Sequence, residues 1–394
     1  MKLLLKRTRW WNGEAEGHGD IRVALGVVAE LGRGLVAQRG ERTVDAEGSL
    51  VLPGLINCHD HLDLNLLPHL GCPPYSDFYA WAEEIYRPEE PPIRDILRIR
   101  LRDRLRWGGY KNLIAGATTV AHHDRYHPLW FGARFPVRVL KRYAWSHSLG
   151  FAADPARDYG RSRGPYLIHA AEGINGRSSS EVDELGRLGL LGRRTVIVHA
   201  LAVTESQQRC LESAGCSVVW CPSSNLQLYG RTAPVDRYLG RLRVGLGTDS
   251  TISGTPHLLD ELRVAHHSGL ASAMDLLRMV TTTAAEILGL EDGQGRIEQG
   301  ACAAMNLIGR AKPFVIPKPS TIRWEFCRCG SADAAEGLPG VRRVGPRAVE
   351  KTVTHAGYSI LPGLLRCQAY PGETSHNGVK VIGPAGKLPP GSVG

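Results

Sequence analysis

The feature that most constrains this chain is a repeated local grammar. Six segments run from short apolar or β-branched stretches into a histidine, aspartate or cysteine, with glycine or proline close by: SLVLPGLINCHDH, ATTVAHHD, PYLIHAAEG, RTVIVHAL, CSVVWCPSSN and RLRVGLGTDS. Stretches of helical spacing lie between them, at Ile93 to Trp107, Ser178 to Leu191, Glu205 to Ala214 and Leu258 to His267. Strands alternating with helices call for βαβ units and a parallel sheet. Strands that are apolar throughout call for a sheet covered on both faces. Polar residues gathered at strand C-terminal ends mark the rim where a (β/α)8 barrel carries its site. The expectation is therefore an α/β chain built on a distorted (β/α)8 TIM barrel.

The two ends of the chain read differently. Within residues 1–50, short alternating pieces (Ile21 to Val28, Gly34 to Gln38, Arg42 to Asp45) predict an antiparallel β module, the N-terminal part of a small β-sandwich domain. The barrel is expected over 51–295. Residues 296–394 are expected to return a strand to the small domain and then to continue as a tail rich in Pro, Gly and Arg, disordered over its last dozen residues.

Composition narrows the function classes. No run of about 18 apolar residues occurs, so no membrane partner is expected. The N-terminal MKLLLKRTRWWNG lacks the apolar core of a secretory signal, and nine cysteines scattered over 394 residues suit a reduced compartment. A cytoplasmic protein is expected. The formal charge of +9 comes mostly from arginine without a basic block interleaved with aromatics, so a solvated basic surface accounts for it and no nucleic-acid partner is expected. HExxH, P-loop, GxSxG, GxGxxG and HxE…PCxxC patterns are all absent, and Cys327-Arg328-Cys329 has no second pair to complete a structural zinc site.

The candidate site follows from the strand ends. In His59-Asp60-His61 the two imidazoles are two residues apart, so on a strand they face the same side. His169 ends Tyr166-Leu167-Ile168, His199 ends Thr195 to Val198, and Asp249 follows Val244 to Gly247. Four such ends converging with a carboxylate call for a shared partner, because buried unpaired polar groups are costly. Several imidazoles and a carboxylate with a position left for water make a hydrolytic metal site.

In order and spacing, PGLINCHDH, HAAE, VHAL, CPSSNLQL, APV, GTDS and TTTAAEILGL followed by GRIEQG resemble the amidohydrolase superfamily over about residues 50–310. The similarity is greatest to the branch of cytosine, guanine and S-adenosylhomocysteine deaminases and the triazine hydrolases. The resemblance implies His59, His61, His169 and Asp249 as ligands of one divalent metal, zinc first and iron as the alternative. It implies Glu172 as proton shuttle, His199 as the residue steadying the attacking water and the tetrahedral oxyanion, and Asp249 as proton acceptor. The glutamate favours deamination of an aminated heterocycle or amidine-like carbon. An amide hydrolase, a dehalogenase-like displacement, and a non-catalytic metal-binding barrel are the alternatives. A small-molecule substrate and a homo-oligomer are expected.

His123 and Trp81 are weaker candidates for substrate contact. His123 ends ATTVAHH beside Asp124 and Arg125, with packing behind the site as the equal alternative. Trp81 belongs to an aromatic stretch, Leu67 to Pro88, which follows the first strand where barrels carry lids. Only about 40 residues separate Asp124 from Pro165, too few for two full strand–helix units, so a short third or fourth strand or a missing helix is expected there.

Overall fold

The computed structural model describes residues 2–309. The tail, including Cys327-Arg328-Cys329 and the expected disorder of the last residues, lies outside them. Fourteen strands are described: β1 Lys2–Trp11, β2 Glu16–Ala24, β3 Val27–Gly32, β4 Arg42–Asp45, β5 Leu50–Pro53, β6 Leu55–Asp60, β7 Ala117–His122, β8 Arg138–Val139, β9 Ala144–Ser148, β10 Tyr166–Ala170, β11 Thr195–His199, β12 Ser217–Trp220, β13 Arg243–Leu246 and β14 Met305–Ile308.

Strands β6 to β13 carry the site. They pair in parallel as two arcs, β6-β7-β8 and β13-β12-β11-β10-β9. The arcs touch where the amides of Thr248 and Asp249 donate to the His59 carbonyl, and Asp60 bridges Asp249 in parallel. Among the described residues no ladder joins β8 to β9, so the ring of strands is open on that side. The scarcity of chain between Asp124 and Pro165 is the reason. There β8 is two residues long, no helix separates it from β9, and one short helix, Pro155–Gly160, follows. The strands are buried on both faces, as their unbroken apolar sequences require: β10, β11 and β12 contain no residue above the buried class. Tyr166, Trp220 and Tyr238 are wholly buried in the largest core cluster. Their polar tips are satisfied at Ser146 Oγ, Thr232 Oγ1 and the Ala200 carbonyl.

The small module answers in part to the expected sandwich. The described residues form one six-stranded sheet, β14-β5-β1-β2-β3, with β4 also on β1. Val27 begins a new strand because Leu25 and Gly26 both take left-handed backbone (φ 54 and 84) in a two-residue hairpin, which cuts the apparent strand Ile21 to Val28. Gly34 to Gln38 is not a strand. Arg42–Asp45 is one, but it runs parallel to β1. The run Leu50-Val51-Leu52 also belongs here and not to the barrel: β5 pairs with β1 and β14, and Gly54 separates it from β6. The return strand expected after GRIEQG is β14, antiparallel to β5.

The helices at Glu205–Ala214 and Leu258–His267 fall where their spacing places them, and the first begins in a Thr204/Gln207 capping box. Ile93 to Trp107 is broken into helices Ile93–Leu97 and Leu101–Ile114. Among the described residues no helix is long and apolar enough to cross a membrane.

Gly247 shows how tightly the arcs meet. A Cβ at this position would lie 2.7 Å from His59 Cβ and 2.9 Å from Val219 Cγ1. Overpacking of this kind costs about 1–3 kcal/mol. We expect Gly247→Ala to lose stability in that range in urea denaturation. An unchanged midpoint would mean that the contact between β6 and β13 is loose.

Candidate metal centre and acid–base site

Each candidate side chain leaves its strand at the C-terminal end. His59 is the last but one residue of β6, and His61 follows the strand in the loop. His169 lies on β10, His199 closes β11, and Asp249 stands three residues beyond β13. Ala171, His199, Ala200 and Asp249 all take left-handed backbone (φ 50 to 74), a conformation that costs a non-glycine residue about 1–3 kcal/mol. Such strain concentrates where the chain must turn sharply off a strand and still aim a side chain inward.

The four donors His59, His61, His169 and Asp249 are buried and offer ligand atoms that all lie within 4.8 Å of one another. Asp249 Oδ1 is 3.5 Å from both His59 Nε2 and His61 Nε2, and His59 Nε2 is 3.1 Å from His169 Nε2. Donors about 2.0–2.1 Å from a shared tetrahedral zinc would sit roughly 3.3 Å apart, so this spacing suits one ion.

A chain of hydrogen bonds sets the tautomer of His59. The Ser146 carbonyl can only accept, so His123 Nε2 carries the hydrogen that bonds it at 2.9 Å. His123 Nδ1 is then bare and accepts from His59 Nδ1 at 3.1 Å, which leaves His59 Nε2 bare and facing the other donors. His61 Nε2 and His169 Nδ1 are buried without a hydrogen-bond partner. These residues therefore fit a divalent ion.

The electrostatics agree. Burial pushes His59, His61 and His169 below the ordinary imidazole range, giving the neutral form that ligates. Burial alone would raise Asp249, but its contacts with the imidazoles of His59, His61 and His199 hold it well below the usual carboxylate range. Its other oxygen, Oδ2, accepts from Ser224 Oγ (2.8 Å) and Ser253 Oγ (2.9 Å). Glu172 goes the other way. Burial raises it to about 7, against the pull of His199 and of a hydrogen bond from Tyr229. His199 presents Nε2 3.5 Å from Glu172 Oε2, while its Nδ1 pairs with Asn225 Oδ1 at 2.8 Å.

Asp60, between the two histidines, points away from the donors. Its carboxylate pairs with buried Lys111 (3.0 Å) and accepts from Asn112 (2.6 Å) and Asn65 (2.7 Å), a satisfied polar floor beneath the HxH turn. A second group, Asp63, His122 and Asp124, offers ligand atoms within 4.8 Å of one another on the far side of β6 and β7. There Arg104 stands 3.7 Å from Asp63 and supplies the countercharge.

The weaker candidates are placed as follows. His123 is buried and stacks on His169 with ring centroids 4.3 Å apart, directly behind His59. Trp81 is buried within the packing of the helix Phe78–Ile85 and donates from Nε1 to the Leu70 carbonyl. The lid residue that faces the donors is Phe78, with its ring 5.0 Å from His147 and 6.3 Å from His169. Sequence reasoning missed His147, Tyr229 and Ser224. His147 lies on β9 with both ring nitrogens buried and unpaired, 4.8 Å from the His169 ring, and burial holds it down at about 4. Its signal was AWSHS, a fourth strand ending in histidine, hidden in the stretch too short to be read as barrel.

Comparison with known proteins shows the family of the chain. The amidohydrolase family model matches residues 165–324. A 5-methylthioadenosine/S-adenosylhomocysteine deaminase of Natronomonas pharaonis is 30% identical, with 71% of this chain and 77% of that protein covered. The chain belongs to the amidohydrolase family. A deaminase of the same name from Pyrococcus furiosus is 26% identical over 80% of this chain and 88% of its own length. A 5′-deoxyadenosine deaminase of Methanothrix thermoacetophila is 26% identical over 79% and 86%. Among solved structures, a triazine hydrolase of Arthrobacter aurescens superposes with a TM-score of 0.65 at 20% identity, covering 78% of this chain and 87% of that one. A zinc-bound adenosine deaminase of Xanthomonas campestris superposes with 0.64 at 19% identity, covering 81% and 87%. These two likenesses concern the fold of this amidohydrolase.

The geometry predicts metal content directly. Zinc-loaded wild type should retain about one equivalent by mass spectrometry, and His61→Ala or His169→Ala should lose it. His123→Ala, which removes only the partner of His59, should weaken binding about 10–100-fold. Full retention by His169→Ala would show that the four donors do not share an ion.

Proposed function

We propose that this amidohydrolase deaminates the aminated purine ring of a 5′-modified adenosine, with zinc as its metal, held by His59, His61, His169 and Asp249. The coarser statement, a hydrolase that deaminates an aminated heterocycle, is what its relatives support. The finer one rests on the names of those relatives and on the pocket. The observation that carries the reading is the splitting of two buried carboxyl groups in one site: Asp249 is driven low and Glu172 is raised to about 7. Such a pair assigns a base and an acid at neutral pH.

A divalent cation at the four donors supplies the Lewis acidity that makes water a nucleophile near neutral pH. The remaining work falls to the chain. Asp249, ionised and steadied by Ser224 and Ser253, accepts the proton of the attacking water. Glu172 protonates a ring nitrogen, Asp249 passes the proton it took from the water to the leaving amine so that ammonia departs, and Glu172 recovers its proton from the new hydroxyl as the carbonyl forms. General acid–base help of this kind is worth about 10²–10⁴-fold. His199, fixed through Nδ1 by Asn225, presents Nε2 to the charge that develops at the reacting carbon. Phe78, Phe151 and His147 surround the approach with ring centroids 5.0–5.6 Å apart, a wall suited to a planar base, and the free nitrogens of His147 suit a ring nitrogen or hydroxyl. In this reading His123 orients His59 and Trp81 holds Phe78 in place. Closure of the two strand arcs into a full eight-stranded barrel and assembly into a homo-oligomer complete it.

The test is ammonium release by zinc-loaded protein from 5′-methylthioadenosine, 5′-deoxyadenosine, adenosine, aminopyrimidines and aminotriazines. Release should be greatest with the 5′-modified adenosines. Asp249→Asn and Glu172→Gln should lower it by at least about 10²-fold while leaving circular dichroism unchanged. Near-full activity in either variant would overturn the acid–base assignment. Turnover of chlorinated triazines alone would move the reaction to displacement of another leaving group.

A further inference from the structure

The helix Pro222–Tyr229 follows β12 and ends on Gly230, which takes the left-handed conformation (φ 65) and donates its amide to the Leu226 carbonyl. Three of its side chains reach the site, and each meets a different group there. Ser224 Oγ donates to Asp249 Oδ2, Asn225 Oδ1 pairs with His199 Nδ1, and Tyr229 Oη donates to Glu172 Oε1 at 2.9 Å. The first two serve residues whose roles are already accounted for. The third engages an oxygen of the acid itself.

We propose that Tyr229 is a positioning residue for Glu172, its hydroxyl engaging Oε1 so that Oε2 is the oxygen that carries the proton into the pocket. This inference rests on the reading of Glu172 as the acid.

The argument is one of hydrogen-bond inventory. A carboxyl group turns about its last torsion in a broad, roughly two-fold well, so nothing in a glutamate's own geometry selects one oxygen. Tyr229 Oη donates, so Oε1 is occupied as an acceptor and the proton of the neutral acid resides on Oε2. Oε2 is the oxygen 3.5 Å from His199 Nε2, on the side of the metal donors. The phenol is a dependable donor. It is buried, and burial together with the Glu172 charge raises it well above the ordinary phenol range.

Its ring is fixed by the lid. Tyr229 packs in one cluster with Tyr75, Phe78, Trp81, Ile85 and Leu228. Backbone bonds tie both partners to the same segment: the Tyr75 amide donates to the Leu228 carbonyl, and the Phe78 amide donates to the Glu172 carbonyl. The lid that walls the pocket thus also sets the acid's orientation. The groups that act on Glu172 are His199, Asp249 and Glu181 through space and Tyr229 through its hydrogen bond. Of these, Tyr229 lowers the midpoint of Glu172, so its loss should move that midpoint upward.

The experiment compares wild type with Tyr229→Phe, which keeps the ring and its packing. The Glu172 side-chain carboxyl is followed by ¹³C NMR in zinc-loaded, glutamate-labelled protein, assigned by its disappearance in Glu172→Gln. In Tyr229→Phe the titration midpoint should rise and kcat should fall about 10–100-fold with KM nearly unchanged. Tyr229→Phe added to Glu172→Gln should cost little further. An unmoved midpoint together with unchanged kcat would overturn the proposal. Tyr229→His, which keeps a donor on a smaller ring, should recover part of both readouts if Tyr229→Phe folds poorly, and failure of both variants to differ from wild type in the titration also overturns it. The titration needs no turnover. If wild type deaminates nothing, the acid assignment falls, while the NMR arm still decides whether Tyr229 holds Glu172.

Discussion

Removal from water is the constraint to which the rest of the structure answers. Six imidazoles (His59, His61, His123, His147, His169 and His199) and two carboxyl groups (Asp249 and Glu172) share one region at the strand ends, with ring centroids as close as 4.3 Å. Charges cannot be left there without partners. Burial holds the imidazoles of His59, His61, His123, His147 and His169 neutral, one carboxylate is ionised among them, and the other holds its proton up to about neutral pH. Neutral nitrogen donors and one anion facing a common point form a ligand set. A carboxyl group near its midpoint beside them is an acid. The chemistry is a consequence of how the burial is compensated.

That compensation is distributed over elements that never touch a substrate. Ser146 on β9 holds His123, and His123 holds His59, so a carbonyl two steps away decides which nitrogen of His59 faces the other donors. Lys111, Asn112 and Asn65 satisfy Asp60 and keep the turn between the two histidines rigid. The helix Pro222–Tyr229 serves Asp249, His199 and Glu172 at once. Polar networks in a low-dielectric interior are stiff when every member is paired. Among the buried atoms left without partners are His61 Nε2, His169 Nδ1 and both nitrogens of His147, three imidazoles of this same cluster.

The same logic explains the irregular parts of the fold. The arcs of the barrel meet tightly where β6 and β13 bring His59 and Asp249 together, and Gly247 is needed for that approach. They part between β8 and β9, where the chain is too short for a regular unit. The site does not suffer, because β9 still delivers His147 and Ser146 to it. The small sheet binds the two ends of the described chain, β1 and β14, through β5.

What could be read from the residues alone was whatever is repeated or local. Apolar runs ending in histidine or aspartate identified β6, β7, β10, β11 and β13, because a strand buried on both faces has no polar residue to spare until it ends. The i, i+2 spacing of His59 and His61 and the position of Glu172 after His169 were legible for the same reason. The tertiary structure decided what depends on contacts remote in sequence. Leu50-Val51-Leu52 looked like the first barrel strand and belongs to the small sheet, since apolar residues alone do not say which of two sheets covers them. The pairing of Asp60 with Lys111, 51 residues away, leaves no mark in the sequence around the two histidines. The service of Tyr229 to Glu172 spans 57 residues and leaves no periodic trace. Spacing records which residues share a strand end, but the pKa of a buried carboxyl and the tautomer of a buried imidazole are set by neighbours that only the folded chain brings near.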